Sequence, residues 1–266
     1  MAMSLVLSRT EGGVALITLN RPEEHNALNV ELCAELAAIL STAATDPSIR
    51  CVVLRGAGGE FSVGGDLKML LGIADKDEAT RRLVPRLLLN GLHQAVISVR
   101  AMNKPVIAAV QGAIAGGALS LALACDFVIV EEGARLVFAY DALGVSPDAG
   151  GSYIWPRLVG ERAAIELAFF GGSFSAEEAL SKGLVNRVVS KGDFEHEVAS
   201  IADRLAHGPT LAFGKVKRLV YASQLTSLPQ QLEAEATEVL DCLVSEDFTE
   251  ALHAFIERRP AKFAGR

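Results

Sequence analysis

Three short segments of this 266-residue chain carry residue types that could do chemistry together. Phe61-Ser62-Val63-Gly64-Gly65-Asp66-Leu67 and Gln111-Gly112-Ala113-Ile114-Ala115-Gly116-Gly117-Ala118 each place a glycine amide where a strand or loop is expected to turn into a helix. Such an N–H can approach a ligand oxygen closely, because glycine has no side chain in the way, and a helix N-terminus favours negative charge. Two such donors converging on one carbonyl oxygen would form an oxyanion hole able to stabilise an enolate. The third segment, Val145-Ser146-Pro147-Asp148-Ala149-Gly150-Gly151-Ser152, adds an acid at another loop-to-helix junction. Together they suggest enolate chemistry on an acyl thioester. The plainer reading of the same residues is tight-turn glycines and an aspartate that caps a helix.

These segments must be held by a core, and the composition supplies one. Half of the residues are hydrophobic, and no low-complexity tract interrupts them. Short apolar β-rich runs recur at Val14–Leu19, Cys51–Leu54, Val106–Val110, Phe127–Val130 and Leu136–Phe138, as expected for strands covered on both faces. Helical patterns lie between them. One runs from Asn29 to Ala44 and stops at Asp46-Pro47; another covers Ala79 to Met102, where Pro85 is expected to start or kink the helix. Ser175-Ala176-Glu177-Glu178 reads as a capping box with Gly183 as the stop. From Asp193 onward the pattern is helical through Leu205, then over 211–222, 230–244 and 248–259. The chain therefore divides into an α/β body, residues 1–205, and a helical segment, residues 206–266.

Several function classes are disfavoured. A net charge of −7 argues against general nucleic-acid binding, which needs a basic face. Cys33, Cys51, Cys125 and Cys242 form no CxxC pair and, with five scattered histidines, offer no metal spacing; buried reduced thiols in a cytoplasmic protein are expected. The apolar stretch from Ala113 to Cys125 is too short to span a bilayer, no signal peptide is visible, and a soluble protein is expected. Gly56-Ala57-Gly58-Gly59-Glu60-Phe61 begins like a dinucleotide fingerprint but ends on Phe. Gly214-Lys215 lacks the rest of a P-loop, and Ser152 lacks a nucleophile elbow.

The order and spacing of these pieces resemble the crotonase superfamily, the enoyl-CoA hydratase/isomerase group, across nearly the whole chain. The resemblance rests on Leu19-Asn20-Arg21-Pro22 with Asn26-Ala27-Leu28-Asn29, on Phe61–Leu67, on Lys104–Gly112, on Gly116-Gly117 and Cys125-Asp126, on Pro147–Gly151, and on Ala179–Val188. It implies a spiral of ββα units with a helical C-terminal segment for trimer contacts, an acyl-CoA thioester as substrate, no separate cofactor, and a homotrimer or dimer of trimers. It places the oxyanion donors on the backbone N–H groups of Gly65 and Gly117, and the CoA-binding stretch on Gly65, Asp66, Leu67 and Lys68. Asp66 could instead cap the next helix. Arg21, Arg258 and Lys262 become phosphate contacts by the same resemblance, or else solvated surface cations.

The chain departs from the hydratase pattern at two positions. Hydratases of this group use two glutamates to hold and activate water; the corresponding positions here are Ser120, three residues after Gly117, and Tyr140, seven before Pro147. Neither is a carboxylate. Asp141 is one position off and is expected to point elsewhere. Asp148 instead resembles the acid of family members that shift double bonds, the dienoyl-CoA and epoxyphenylacetyl-CoA isomerase types. One carboxylate beside an oxyanion hole can carry a proton from one carbon to another, whereas hydration asks one group to activate water while the α-carbon is protonated. The expected activity is an enoyl-CoA isomerase with Asp148 as base and then acid. The alternatives are an enoyl-CoA hydratase and a non-catalytic acyl-CoA-binding member; a nucleophilic Asp148, as in the family's dehalogenases, is a further reading. Leu83–Leu92, Tyr140 and Trp155 are expected to line the acyl pocket, with Ser120 beside them.

Overall fold

The computed structural model describes residues 4–266. In chain order its strands are β1 (Val6–Glu11), β2 (Val14–Leu19), β3 (Cys51–Gly56), β4 (Val106–Val110), β5 (Ala113–Ala115), β6 (Phe127–Glu131), β7 (Arg135–Val137), β8 (Ser173–Ser175) and β9 (Arg187–Val189). The helices are α1 (Val30–Thr45), α2 (Leu67–Ile73), α3 (Glu78–Ala101), α4 (Gly116–Leu123), α5 (Tyr140–Leu143), α6 (Gly151–Val159), α7 (Glu161–Phe170), α8 (Ala176–Ser181), α9 (Phe194–Ala206), α10 (Thr210–Ala222), α11 (Leu228–Leu243) and α12 (Glu246–Glu257).

Six strands form one sheet in the order β1-β2-β3-β4-β6-β9, parallel except for the β1–β2 hairpin; β5, β7 and β8 form a second, smaller sheet. The apolar runs are continuous because both faces of the large sheet are covered. Val52, Leu54, Val106, Ala108, Val110, Val128 and Val130 join the main core with α1 and α3. The alternate residues Cys51, Val53, Ile107, Ala109 and Ile129 pack on Phe194, Val198, Ala202 and Ala206 of α9.

The sequence expectations for β2, β3, β4, β6, β7, α1, α3 and α8–α12 hold to within a few residues, and α2, α4 and α6 begin where loop-to-helix turns are expected. α5 and α7 answer to no sequence expectation, and of the strands β1, β5, β8 and β9 are additional. β1 is an edge strand exposed after its first residue, so it carries no apolar run. The other three are only three residues long.

Pro85 does not start a helix. α3 begins at Glu78, where Asp77 accepts the Thr80 amide at 2.9 Å, and runs through Pro85. The cap decides the start. Gly91 of α3 lies so close to α1 that an added Cβ would meet the Cys33 carbonyl carbon at 2.7 Å. The predicted capping box at Ser175 and Glu178 is present, and Gly183 (φ 75°) follows α8. Cys33, Cys51 and Cys125 are buried; Cys242, expected to be buried, is partly exposed on α11.

Candidate active site

The loop before α2 and the strand before α4 run side by side. Ser62 pairs in parallel with Ile114: the Ser62 amide donates to the Ala113 carbonyl at 3.2 Å, and the Ala115 amide to the Ser62 carbonyl at 3.0 Å. Three residues further along each segment stand Gly65 and Gly117, so the parallel register carries both to the same end of this pairing. Gly64 makes the approach possible. At φ 86° it occupies left-handed space, and a Cβ there would meet the Ala115 carbonyl oxygen at 2.7 Å.

Both glycine amides are free to serve as donors. Leu28 bonds the chain on either side of Gly65, donating to the Gly64 carbonyl at 2.7 Å and accepting from the Asp66 amide at 2.9 Å. The Gly65 N–H therefore turns away from Leu28 and has no partner among the described residues. Gly117 is in the first turn of α4, where amides lack intrahelical acceptors, and Ala115 offers no side-chain cap.

Asp148 reaches Gly117 from a different direction. α5 ends at Gly144, and the chain continues through Pro147 to a tight turn in which the Gly151 amide donates to the Asp148 carbonyl at 2.8 Å. Ala149 (φ 47°) and Gly150 (φ 81°) are both left-handed. For alanine this conformation costs about 1–2 kcal/mol, a strain retained at a buried turn that aims Asp148. Asp148 does not cap α6. Gly150 holds the N-cap position with no side-chain bond, and Oδ1 of Asp148 instead accepts the Tyr140 hydroxyl at 2.7 Å.

Ser120, Tyr140 and Asp148 form one chain of hydrogen bonds, with Ser120 Oγ 3.2 Å from the Tyr140 hydroxyl. Trp155 backs this chain. Its indole packs edge-on to Phe138 at 4.9 Å and lies 5.6 Å from the Tyr140 ring. Gly151 leaves the room required, since a Cβ there would lie 2.7 Å from Trp155 and 2.8 Å from Ser120 Oγ. Burial raises the Asp148 carboxyl above its ordinary value, and the Tyr140 hydroxyl and His93 offset part of that rise. Burial, then the charge of Asp148, pushes the Tyr140 phenol well up, so it remains a donor.

The other site residues read from the sequence are dispersed around this centre. Asp66 caps α2, accepting the Met69 amide at 3.1 Å, and also accepts both terminal nitrogens of Arg21 at 3.1 Å. Burial would raise this carboxyl, but the Met69 amide and Arg21 outweigh it and hold it below its ordinary value. Arg21 is further committed to the Ala27 carbonyl at 2.6 Å. The Arg21–Asp66 pair therefore braces the loop that presents Gly65. Leu67 and Lys68 are exposed in the first turn of α2, and Lys68 has no ion pair among the described residues. Arg258 is exposed in left-handed conformation (φ 55°) at the end of α12, and Lys262 is exposed beyond it; neither has an ion pair among the described residues, nor a bond to Gly65, Gly117 or Asp148. Asp141 turns toward Gly171. Of the α3 leucines, Leu83 and Leu87 are exposed, Leu88 and Leu92 are buried, and Leu92 reaches Gly117. Trp155 is wholly buried, so it supports Tyr140 from behind.

His93, whose charge reaches Asp148, was not legible in the sequence, because a lone histidine on an amphipathic helix carries no motif. Among the described residues no group of three or more His, Cys, Asp or Glu side chains could hold a metal ion.

Comparison with known proteins follows the same outline. The profile of the enoyl-CoA hydratase/isomerase family matches residues 9–266. A "Probable enoyl-CoA hydratase" of Rhodobacter capsulatus is 41% identical, covering 96% of this chain and 95% of that protein. The 1,2-epoxyphenylacetyl-CoA isomerase of Escherichia coli is 34% identical over 99% of this chain and 100% of its own length. The crystal structure of an enoyl-CoA hydratase from Polaromonas sp. JS666 superposes with a TM-score of 0.89 at 36% identity, over 97% of this chain and 99% of the other. The fold is thus the crotonase spiral with C-terminal helices, and the chain belongs to the enoyl-CoA hydratase/isomerase family.

Proposed function

We propose that this protein is an enoyl-CoA isomerase that moves a double bond by proton transfer through Asp148. The observation that carries this reading is that Asp148 stands against Gly117 while the two positions expected to hold a hydratase's carboxylates are Ser120 and Tyr140, bonded to each other. The thioester carbonyl would accept from the Gly65 and Gly117 amides. Asp148 would take a proton from carbon: the C–H bond breaks, an O–H bond forms on the carboxylate, and the electron pair moves into the enolate held by the two amides. Delivering a proton from that carboxyl, whose O–H can exchange with solvent before it is returned, to a different carbon completes the isomerisation with no net gain or loss of atoms. A carboxyl whose value is raised by burial suits a group that must both accept and return a proton. Lys68, Arg258 and Lys262 are the exposed cations for the CoA phosphates, while Arg21 acts by bracing Asp66.

A second reading, hydration of an enoyl-CoA, is favoured by the name of the Rhodobacter capsulatus relative. Incubating the protein separately with 2-enoyl-CoA and 3-enoyl-CoA in D2O discriminates the two. Interconversion with deuterium uptake at carbon supports isomerisation; formation of 3-hydroxyacyl-CoA at enzymatic rates overturns it. Binding of both thioesters without turnover would make the protein a non-catalytic member.

The proposal extends to assembly. Residues 206–266 would supply contacts in a homotrimer or dimer of trimers, because α11 buries none of its residues within one chain and Phe255 and Ile256 of α12 are exposed. A monomeric mass by light scattering at micromolar concentration would contradict this. No helix among the described residues is long and apolar enough to cross a membrane, and a cytoplasmic location is proposed with the rest.

A further inference from the structure

Resting on the isomerase reading, we infer that Tyr140, oriented by Ser120, is a positioning residue that commits Oδ1 of Asp148 and leaves Oδ2 as the single oxygen that carries the proton. The Tyr140 hydroxyl donates to Oδ1 at 2.7 Å, and Oδ2 has no hydrogen bond to any described residue. Oδ1 is also the oxygen nearest Gly117, at 3.0 Å from where a Cβ would stand, so it is walled in on two sides. A carboxylate with two equivalent oxygens could rotate and present either one. Here one is pinned, and the other is fixed in direction.

The proton on Tyr140 can serve only one acceptor. With it given to Asp148, the bond between Ser120 and Tyr140 must run the other way, with Ser120 donating to the phenol oxygen at 3.2 Å. Ser120 thereby holds the phenol rotor toward Asp148. The ring itself is held by Trp155 and is 5% exposed, so the phenol has little freedom to take another partner.

The donor acts on acidity as well as direction. A hydrogen bond to the ionised carboxylate favours the charged form and opposes the rise that burial causes. The other groups facing Asp148 are few. His93 of α3, when protonated, acts in the same direction as Tyr140. Cys33 of α1 has its thiol pushed up to about 12 by burial and stays neutral. The backbone N–H of Asp148 itself also favours the charged form, and α4 presents no ionisable side chain, with Gly117 beside Asp148 and Ser120 beside Tyr140.

The test uses the full-length, ligand-free protein labelled with carboxyl-13C aspartate, with Asp148→Asn identifying the Asp148 resonance. In Tyr140→Phe the Asp148 carboxyl should titrate at a pH higher by about one unit or more, as expected for losing a hydrogen bond to a charged group. The acidic limb of kcat/KM should move up with it. kcat should fall about tenfold with KM within about twofold of wild type, because the loss is one of orientation rather than binding. Ser120→Ala, a milder change, should shift the titration in the same direction by less. His93→Gln should leave the difference between wild type and Tyr140→Phe intact. An unchanged Asp148 titration in a Tyr140→Phe protein with wild-type circular dichroism overturns the inference, as does a Ser120→Ala shift in the opposite direction. The titration needs no turnover, so it stands apart from a failure of the isomerase reading, which would appear as full activity in Asp148→Asn.

Discussion

A Cβ placed on Gly117 would lie 3.0 Å from Oδ1 of Asp148 and 3.1 Å from Cδ2 of Leu92. The amide proposed to hold the enolate oxygen and the carboxylate proposed to move the proton therefore share one van der Waals boundary. That boundary exists only because residue 117 has no side chain.

Gly117→Ala tests this contact. Gly117 is not in left-handed space, so alanine suits its backbone, and alanine is favoured over glycine within a helix by roughly 0.5–1 kcal/mol. The melting temperature should change little, because the helical preference for alanine and the crowding against Leu92 and Asp148 oppose each other. Activity should fall about 100-fold, because displacing Asp148 or Leu92 by even a few tenths of an ångström disturbs a near-attack geometry. Activity within threefold of wild type would show that the contact does not matter.

Asp148→Asn should stabilise the protein at neutral pH. The folded Asp148 carboxyl titrates above its unfolded value, chiefly through burial, so the folded state binds this proton more tightly. The stabilising contribution is complete below the unfolded value of about 3.9 and is lost as pH rises through the folded one. Asparagine avoids the buried charge and can still accept from Tyr140. Scanning calorimetry should find Asp148→Asn melting higher than wild type at pH 7, with the gap closing toward pH 4. A gap independent of pH would contradict the burial argument.

Asp126 ties the C-terminal helices to the body. It accepts the Val106 amide at 2.8 Å, Lys217 Nζ at 2.7 Å and the Tyr221 hydroxyl at 2.5 Å. Lys217 is 8% exposed, and burial lowers its ammonium value despite the pairing. Asp126→Asn leaves that charge uncompensated. Breaking a buried pair costs about 3–5 kcal/mol, and each kcal/mol moves the melting point of a chain this size by about 2–4 °C. A fall of about 6–20 °C is expected by thermal scanning; a fall below about 2 °C would mean the pair contributes little.

Much of this arrangement was legible in the sequence because it is written in local signals. Ser175 starts α8 with the capping box that its sequence spells out, and β4 reads as fully buried because all five of its residues are. Asp77, which caps α3, carries no such box and was not legible beside Pro85. The two glycine segments were legible for a similar reason, since close backbone approach needs glycine at Gly64 and Gly117. What the sequence left open depends on side-chain direction. Asp66 could bind ligand or cap, and it caps. Asp148 could cap or face the site, and only the left-handed turn at Ala149 and the hydroxyl of Tyr140 decide between them. Tyr140 itself reads as an apolar wall until its hydroxyl is seen bonded on both sides.

The most direct test of the account is deuterium uptake from D2O into the α- and γ-carbons of an enoyl-CoA, compared for wild type, Asp148→Asn and Ser120→Ala. With Asp148 as the only proton carrier, Asp148→Asn should lose about 10²–10⁴-fold in exchange and in isomerisation together, with ligand affinity nearly unchanged. Ser120→Ala should lose much less, because its hydroxyl acts only through Tyr140. Equal losses in the two variants, or undiminished exchange in Asp148→Asn, would put the chemistry on the other side of the pocket and contradict the account.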